Sequence, residues 1–177
     1  ESSGSTSVAE TETTDTFTIV LDAQPTSDVV LSISSSDTGE ATATGTLTFT
    51  SANWNTPQTV TVTGVDDNII DGPISSTLTI SVIDAITDDD FDAVADQTVT
   101  ATTTDDDVAG FTVAESSGST SVAESGTTDT FTIVLNAQPS SDVVFAISSS
   151  DTGEATVTSS LTFTNANWDT PQTVTVT

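Results

Sequence analysis

Apolar residues along this chain alternate with polar ones at a period of two. In TFTIVLD they fall at Phe17, Ile19 and Leu21, and in DVVLSIS at Val29, Leu31 and Ile33. TLTFT gives Leu47 and Phe49, QTVTVTGV gives Val60 and Val62, STLTISVI gives Leu78, Ile80 and Val82, and QTVTATT gives Val99 and Ala101. Alternation of this kind marks strands with one buried and one wet face. No stretch sustains a helical period. Strands are predicted over 16–21, 28–34, 46–50, 58–63, 76–83 and 97–103. A first strand is predicted at Phe111–Ala114, continued by the counterpart of Thr6–Glu10. Short antiparallel strands with a single apolar face predict an all-β, two-sheet sandwich of immunoglobulin-like architecture.

The chain also repeats itself. ESSGSTSVAE begins at Glu1 and again at Glu115, and Trp54 recurs as Trp168, a period of 114 residues. Residues 1–63 and 115–177 are identical at 52 of 63 positions, so the two copies are expected to fold alike. A period of this length fits one small domain per repeat. The expected division is a sandwich over 1–107 lacking its first strand, followed by a second over 108–177 lacking its last two. Tandem sandwiches of this sort are expected to be a window on a longer array. The missing strands would come from neighbouring sequence or, as the rival reading, from a neighbouring chain.

Charge narrows the functional classes. The chain holds 27 acidic residues (20 Asp, 7 Glu) and no Lys, Arg or His. A polyanion cannot release counterions from nucleic acid or adhere to anionic membrane, so neither is an expected partner. No apolar run reaches the ~20 residues of a spanning helix, so no membrane insertion is expected. Without Cys there is no disulfide, and the redox compartment cannot be read.

In a sandwich whose loops alternate between two ends, the first connection, the connection after 28–34, the connection after 58–63 and the exit of the last strand share one end. Glu10, Asp66, Asp67, Asp71 and Asp105–Asp107 all lie there, together with Glu12 and Asp15. Two carboxylates ~4 Å apart repel by roughly 4 kcal/mol at an effective dielectric near 20. No side chain of this protein can offset that, so a dissolved cation must. Calcium accepts many oxygen ligands in tolerant geometry; magnesium demands a stricter octahedron, and zinc prefers the absent His and Cys. Ca2+ is the expected ion.

GVDDNIIDG (Gly64–Gly72), followed by TTTDDD and combined with SVAESGTTDTFTIVL, resembles the Calx-beta domain, including its occurrence as extender repeats of long bacterial surface adhesins of the RTX type. The resemblance spans essentially the whole repeat. It implies that the metal ligands are Glu10, Asp66, Asp67, Asp71, Asp105, Asp106 and Asp107 with the Ile69 carbonyl, and Glu124 in the second copy. The sequence departs from the family between the third and fourth strands. There SSSDTGEATATG runs straight through, with only Asp37 and Glu40 to offer.

Other features have simpler readings. The acids of DAITDDDFDAVAD with Asp22 and Asp28, at the opposite end, could share an ion across a repeat junction or form a solvated loop. Trp54 is expected to plug the sandwich end, with Pro57 setting the next strand, rather than to stack on a sugar. The Thr ladders are expected to be exposed strand faces rather than water-ordering surfaces. Serine and threonine nucleophiles have no base, so no enzyme is expected. The sequence points to a calcium-rigidified spacer of an extracellular adhesin or filament. Its expected partners are neighbouring repeats and other copies associating laterally or end to end. A carbohydrate- or protein-binding module and a calcium sensor are the competing classes.

Overall fold

A computed structural model describes residues 5–177; residues 1–4, the opening of the first repeat, lie outside them. The chain forms two compact units. The first comprises residues 1–67 and 71–106, and the second 68–70 and 107–177.

The first unit contains β1 (Thr6–Ala9), β2 (Thr14–Ile19), β3 (Val29–Ser35), β4 (Ala41–Ala43), β5 (Thr46–Phe49), β6 (Gln58–Gly64), β7 (Ile74–Val82) and β8 (Gln97–Thr104). They form a five-stranded sheet in the order β1-β8-β7-β3-β5 and a three-stranded sheet in the order β2-β6-β4. Both sheets send side chains into one core, with Phe17, Val60 and Val62 from the smaller and Val29, Leu31, Phe49, Leu78 and Ala101 from the larger. Every apolar position picked out by the alternation is buried in this core or packed against it. The architecture is an all-β sandwich.

Two features depart from the expectation. A three-residue strand, β4, forms in the segment read as running straight through, and it pairs with β6 at Ala41↔Gly64 and Ala43↔Val62. The other departure is that not every pairing is antiparallel. Strand β1 lies parallel to β8, with Thr6↔Ala101 and Ala9↔Thr104. Parallel pairing requires a long crossover between the partners, and here nearly the whole unit separates them. Its effect is positional: both strands run toward the same end and deliver their next residues, Glu10 and Asp105, side by side.

The second unit contains β9 (Phe111–Glu115), β10 (Asp129–Leu135), β11 (Val143–Ala146), β12 (Ser160–Phe163) and β13 (Gln172–Val176). Strands β13-β10-β9 form one sheet and β11-β12 the other. Ile133, Leu135, Leu161, Phe163 and Val174 make its core. Strand β9 pairs antiparallel with β10. Among the described residues, Thr120–Ala123 forms no strand where its counterpart Thr6–Ala9 does. No described helix is long and apolar enough to cross a membrane.

Candidate metal centre

Four connections meet at one end of the first unit. The loop after β1 is fixed locally: the Thr13 hydroxyl accepts from the Ala9 N–H at 2.7 Å, and the Asp15 carboxylate accepts from the Ser7 N–H at 3.1 Å. Asp15 thus secures the loop. The second unit repeats the device with Thr127 and Asp129. The Glu10 N–H donates to the Thr104 carbonyl at 3.1 Å, which continues the β1–β8 ladder by one rung and turns the Glu10 side chain inward.

Glu40 enters from the connection between β3 and β4. Asp37 shapes its turn, accepting from the Gly39 N–H at 3.0 Å through its carboxylate and from the Ala41 N–H at 3.1 Å through its carbonyl. The Glu40 carbonyl then accepts from the Val65 N–H at 2.8 Å and from the buried Thr103 hydroxyl at 3.2 Å. This backbone is held on two sides, which leaves the carboxylate committed to the interior.

The third contribution comes from the β6–β7 connection. The Asp105 carboxylate, just past β8, accepts from the N–H groups of Asp71 (3.1 Å) and Gly72 (2.7 Å). Gly72 has φ +73°, a conformation that glycine adopts without a Cβ penalty. That turn brings Asp71 back over the end of the sandwich.

As a result, one carboxylate oxygen from each of Glu10, Glu40 and Asp71 lies within 4.8 Å of the others. Glu10 is 1% exposed and Glu40 7%, and each keeps one buried oxygen, Oε2, with no hydrogen-bond partner. Buried polar atoms are ordinarily paired, so each orphan is a vacant demand for a positive partner. Burial pushes the Glu10 carboxyl up to about 7. The Asp106 N–H draws it partway down, and the charges of Asp105, Asp67 and Asp71 raise it further. Burial raises Glu40 too, aided by Asp71, Asp37, Asp67 and Asp105. Two oxygens on one calcium ion, each at 2.3–2.6 Å, lie no more than about 5 Å apart. The cluster meets that limit with hard, anionic oxygens, so the residues fit the ion.

The structure does not bring all the expected ligands together. Glu10, Asp71 and Asp105 converge. Asp67 is half-buried and near enough to perturb both glutamates. Asp66 and Asp106 are exposed, although Asp106 contributes its N–H. Ile69 is 41% exposed and lies in a segment counted with the second unit; Asp107 is half-buried. Glu124 is exposed, as is Glu154, the counterpart of Glu40, and no cluster of acids forms around either among the described residues. Glu40 was missed in the sequence because its segment lacks the expected acidic turn. Its signal was the topology itself, since that connection belongs to the same end as the other three.

At the opposite end the acids behave differently. Asp88 is 3% exposed, and its carboxylate accepts from the N–H groups of Thr26 (2.7 Å), Ser27 (2.7 Å) and Asp90 (3.1 Å) and from the Thr26 hydroxyl (2.8 Å). These bonds, led by the Ser27 N–H and the Thr26 hydroxyl, lower it to about 2. Its demand for positive charge is met by the backbone. No group of three acids there approaches closely enough to share an ion among the described residues. Trp54 is half-buried, and its carbonyl accepts from the Leu21 N–H at 3.1 Å.

No known protein-family profile matches the chain, and no curated protein does. Among solved structures it is similar to the CBD12 region of CALX1.2, at 16% identity and a TM-score of 0.40, over 98% of this chain and 72% of that one. It is similar to the chaperone YadV at 8% identity and a TM-score of 0.42, over 97% and 81%. SSP-19, an MSP-domain-like protein of Caenorhabditis elegans, aligns at 19% identity and a TM-score of 0.37, over 57% and 92%. The architecture of the site is the one defined by this chain's own ladders, two facing sheets with four connections meeting at one acidic end.

Proposed function

We propose that the first unit binds calcium through Glu10, Glu40, Asp71 and Asp105, with Asp67 adding to the field. The observation that carries this reading is the pair of buried, unpartnered glutamate oxygens facing Asp71 in a chain with no basic side chain. The ion supplies the positive charge that the sequence withholds, and it ties the ends of β1 and β8 to the β3–β4 and β6–β7 connections. Without it, these carboxylates repel one another or hold protons. With it, they become ligands and the four connections become one rigid cap.

The wider role is a structural repeat of a long extracellular adhesin or surface filament, acting as a calcium-rigidified spacer between neighbouring repeats. Near-identity of the two copies supports this, because a ligand-specific domain more often occurs once among dissimilar neighbours. Extracellular calcium modules bind at ~10⁻⁴–10⁻³ M, which suits an environment rich in the ion. Calorimetric titration with calcium, magnesium and buffer alone tests the site. One-step calcium binding with a rise in melting temperature is expected, with little response to magnesium. Equal melting curves in calcium and chelator would overturn the reading.

A further inference from the structure

A second feature of the first unit concerns its apolar side. Strand β2 ends its sheet, and between its outer edge and the start of β8 runs a groove of about 710 Å3. Phe17, Ile19, Leu21, Leu31, Phe91 and Val99 line it. Among the described residues no strand pairs with this edge, and an open edge beside an apolar trough presents hydrogen-bonding groups and buried-surface potential together, as sheet edges that accept an added strand do.

The second unit shows what such an edge holds. Its β10 carries FTIVL at 131–135, identical to residues 17–21. There the outer edge is occupied by β9, antiparallel, with Phe131↔Glu115, Ile133↔Val113 and Leu135↔Phe111. The Phe111 ring packs edge-on against Phe145, centroids 5.0 Å apart. The counterpart of Phe145 is Leu31, which lines the groove. The Asn136 N–H donates to the Gly110 carbonyl at 2.9 Å, and the counterpart of Asn136 is Asp22, at the rim of the same groove. A Cβ on Gly110 would stand 2.7 Å from the Asn136 side chain, so glycine suits that approach. Phe111 and Val113 remain 54% and 50% exposed in the second unit. In the first, Phe91, Val94 and Val99 also line the groove.

We propose that the groove is a strand-acceptor site. Its occupant is a strand with the sequence pattern of Gly110–Glu115, joined ahead of Glu1 in the same polypeptide as Gly110–Ala114 is joined ahead of Glu115. It runs antiparallel to β2, with its valine opposite Ile19, its phenylalanine opposite Leu21 and the phenylalanine ring over Leu31. The match is one of sequence, register and shape and does not depend on calcium.

The test is to extend the chain by copying residues 108–114 (VAGFTVA) ahead of Glu1 and to follow amide exchange and melting, in calcium and in chelator. Exchange at residues 17–21 slows by about tenfold or more, and the first unit melts higher in both conditions. The same extension with aspartate in place of its phenylalanine and second valine gives neither effect. Unchanged exchange with the apolar extension would overturn the proposal. So would dimerisation of the unextended chain that protects residues 17–21 and persists after extension, because the occupant would then be a second copy.

Discussion

Gly64 and Ala9 touch where no side chain fits between them. A Cβ on Gly64 would stand 2.8 Å from the Ala9 carbonyl carbon and closer still to its oxygen. Both partners are backbone, so neither can swing aside. Gly64 opens the connection that carries Asp66, Asp67 and Asp71, and Ala9 is followed by Glu10. Gly64→Ala therefore destabilises the first unit by about 2 kcal/mol or more, as overpacking of a rigid site does. Denaturant unfolding measures the loss, and calcium affinity falls in the same variant because two ligand-bearing segments are forced apart.

Glu40→Gln separates the ion's contribution from that of the fold. The variant removes a buried negative charge facing Glu10 and Asp71 and keeps the side chain's shape. In chelator it melts higher than the parent, because like-charge repulsion and desolvation are relieved. In calcium it melts lower, because a ligand charge is gone. Thermal scans of both proteins in both conditions should show the two curves crossing. Asp66→Ala, at an exposed position, changes either scan far less.

Glu10 sets a pH dependence whose sign is opposite to that of a salt-bridged acid. Its folded value is raised to about 7 from an ordinary 4.5, so the folded state holds the proton more tightly than the unfolded chain. The stability it contributes is fully present below about 4.5 and is lost as pH rises through about 7. In chelator the melting temperature of the first unit falls as pH rises from 5 to 8. Calcium binds the ionised form and removes that fall, so binding near pH 6.5 releases protons. Titration calorimetry in buffers of different ionisation enthalpy detects the release.

Glu12 sits at φ +59°, a left-handed conformation that costs a non-glycine residue about 1 kcal/mol. The second copy has Gly126 at the same position, with φ +84°. Glu12→Gly relieves the backbone strain, although glycine loses more chain entropy on folding. The net effect is a gain of less than about 1 kcal/mol, read by denaturant unfolding in chelator.

Asp88→Ala tests the other end. It leaves the Thr26, Ser27 and Asp90 N–H groups without their acceptor and lowers the melting temperature by several degrees, equally in calcium and in chelator. The lowered value of Asp88 means that its contribution is present above about 3.8 and disappears as pH falls through about 2.

The core was legible from the alternation alone, because a strand with one wet face writes its buried positions at every second residue. Phe17, Val29, Leu31, Val60 and Leu78 all fell where that pattern put them. Pairing partners left no such trace. Nothing local distinguishes Thr6–Ala9 running parallel to β8 from the same residues running antiparallel to β2. The charge cluster was legible as a demand for a cation, and the loop alternation brought Glu10, Asp71 and Asp105 to one end. Glu40 escaped because acidity was sought in runs, whereas burial of a single carboxylate depends on what folds over it. Asp88 shows the converse: an acid in the densest run of all is neutralised in effect by amides that only the fold supplies.

The parallel alignment of β1 with β8 has a consequence for a chain held taut. Among the described strands of the first unit, the start of β1 and the end of β8 lie at opposite ends of the same ladder. Tension applied between those two points slides the neighbours past each other lengthwise, so all their rungs share the load and must rupture together rather than unzip in turn. The carboxylates of Glu10 and Asp105 stand just beyond the last rung, where an ion between them would clamp the ladder against shear.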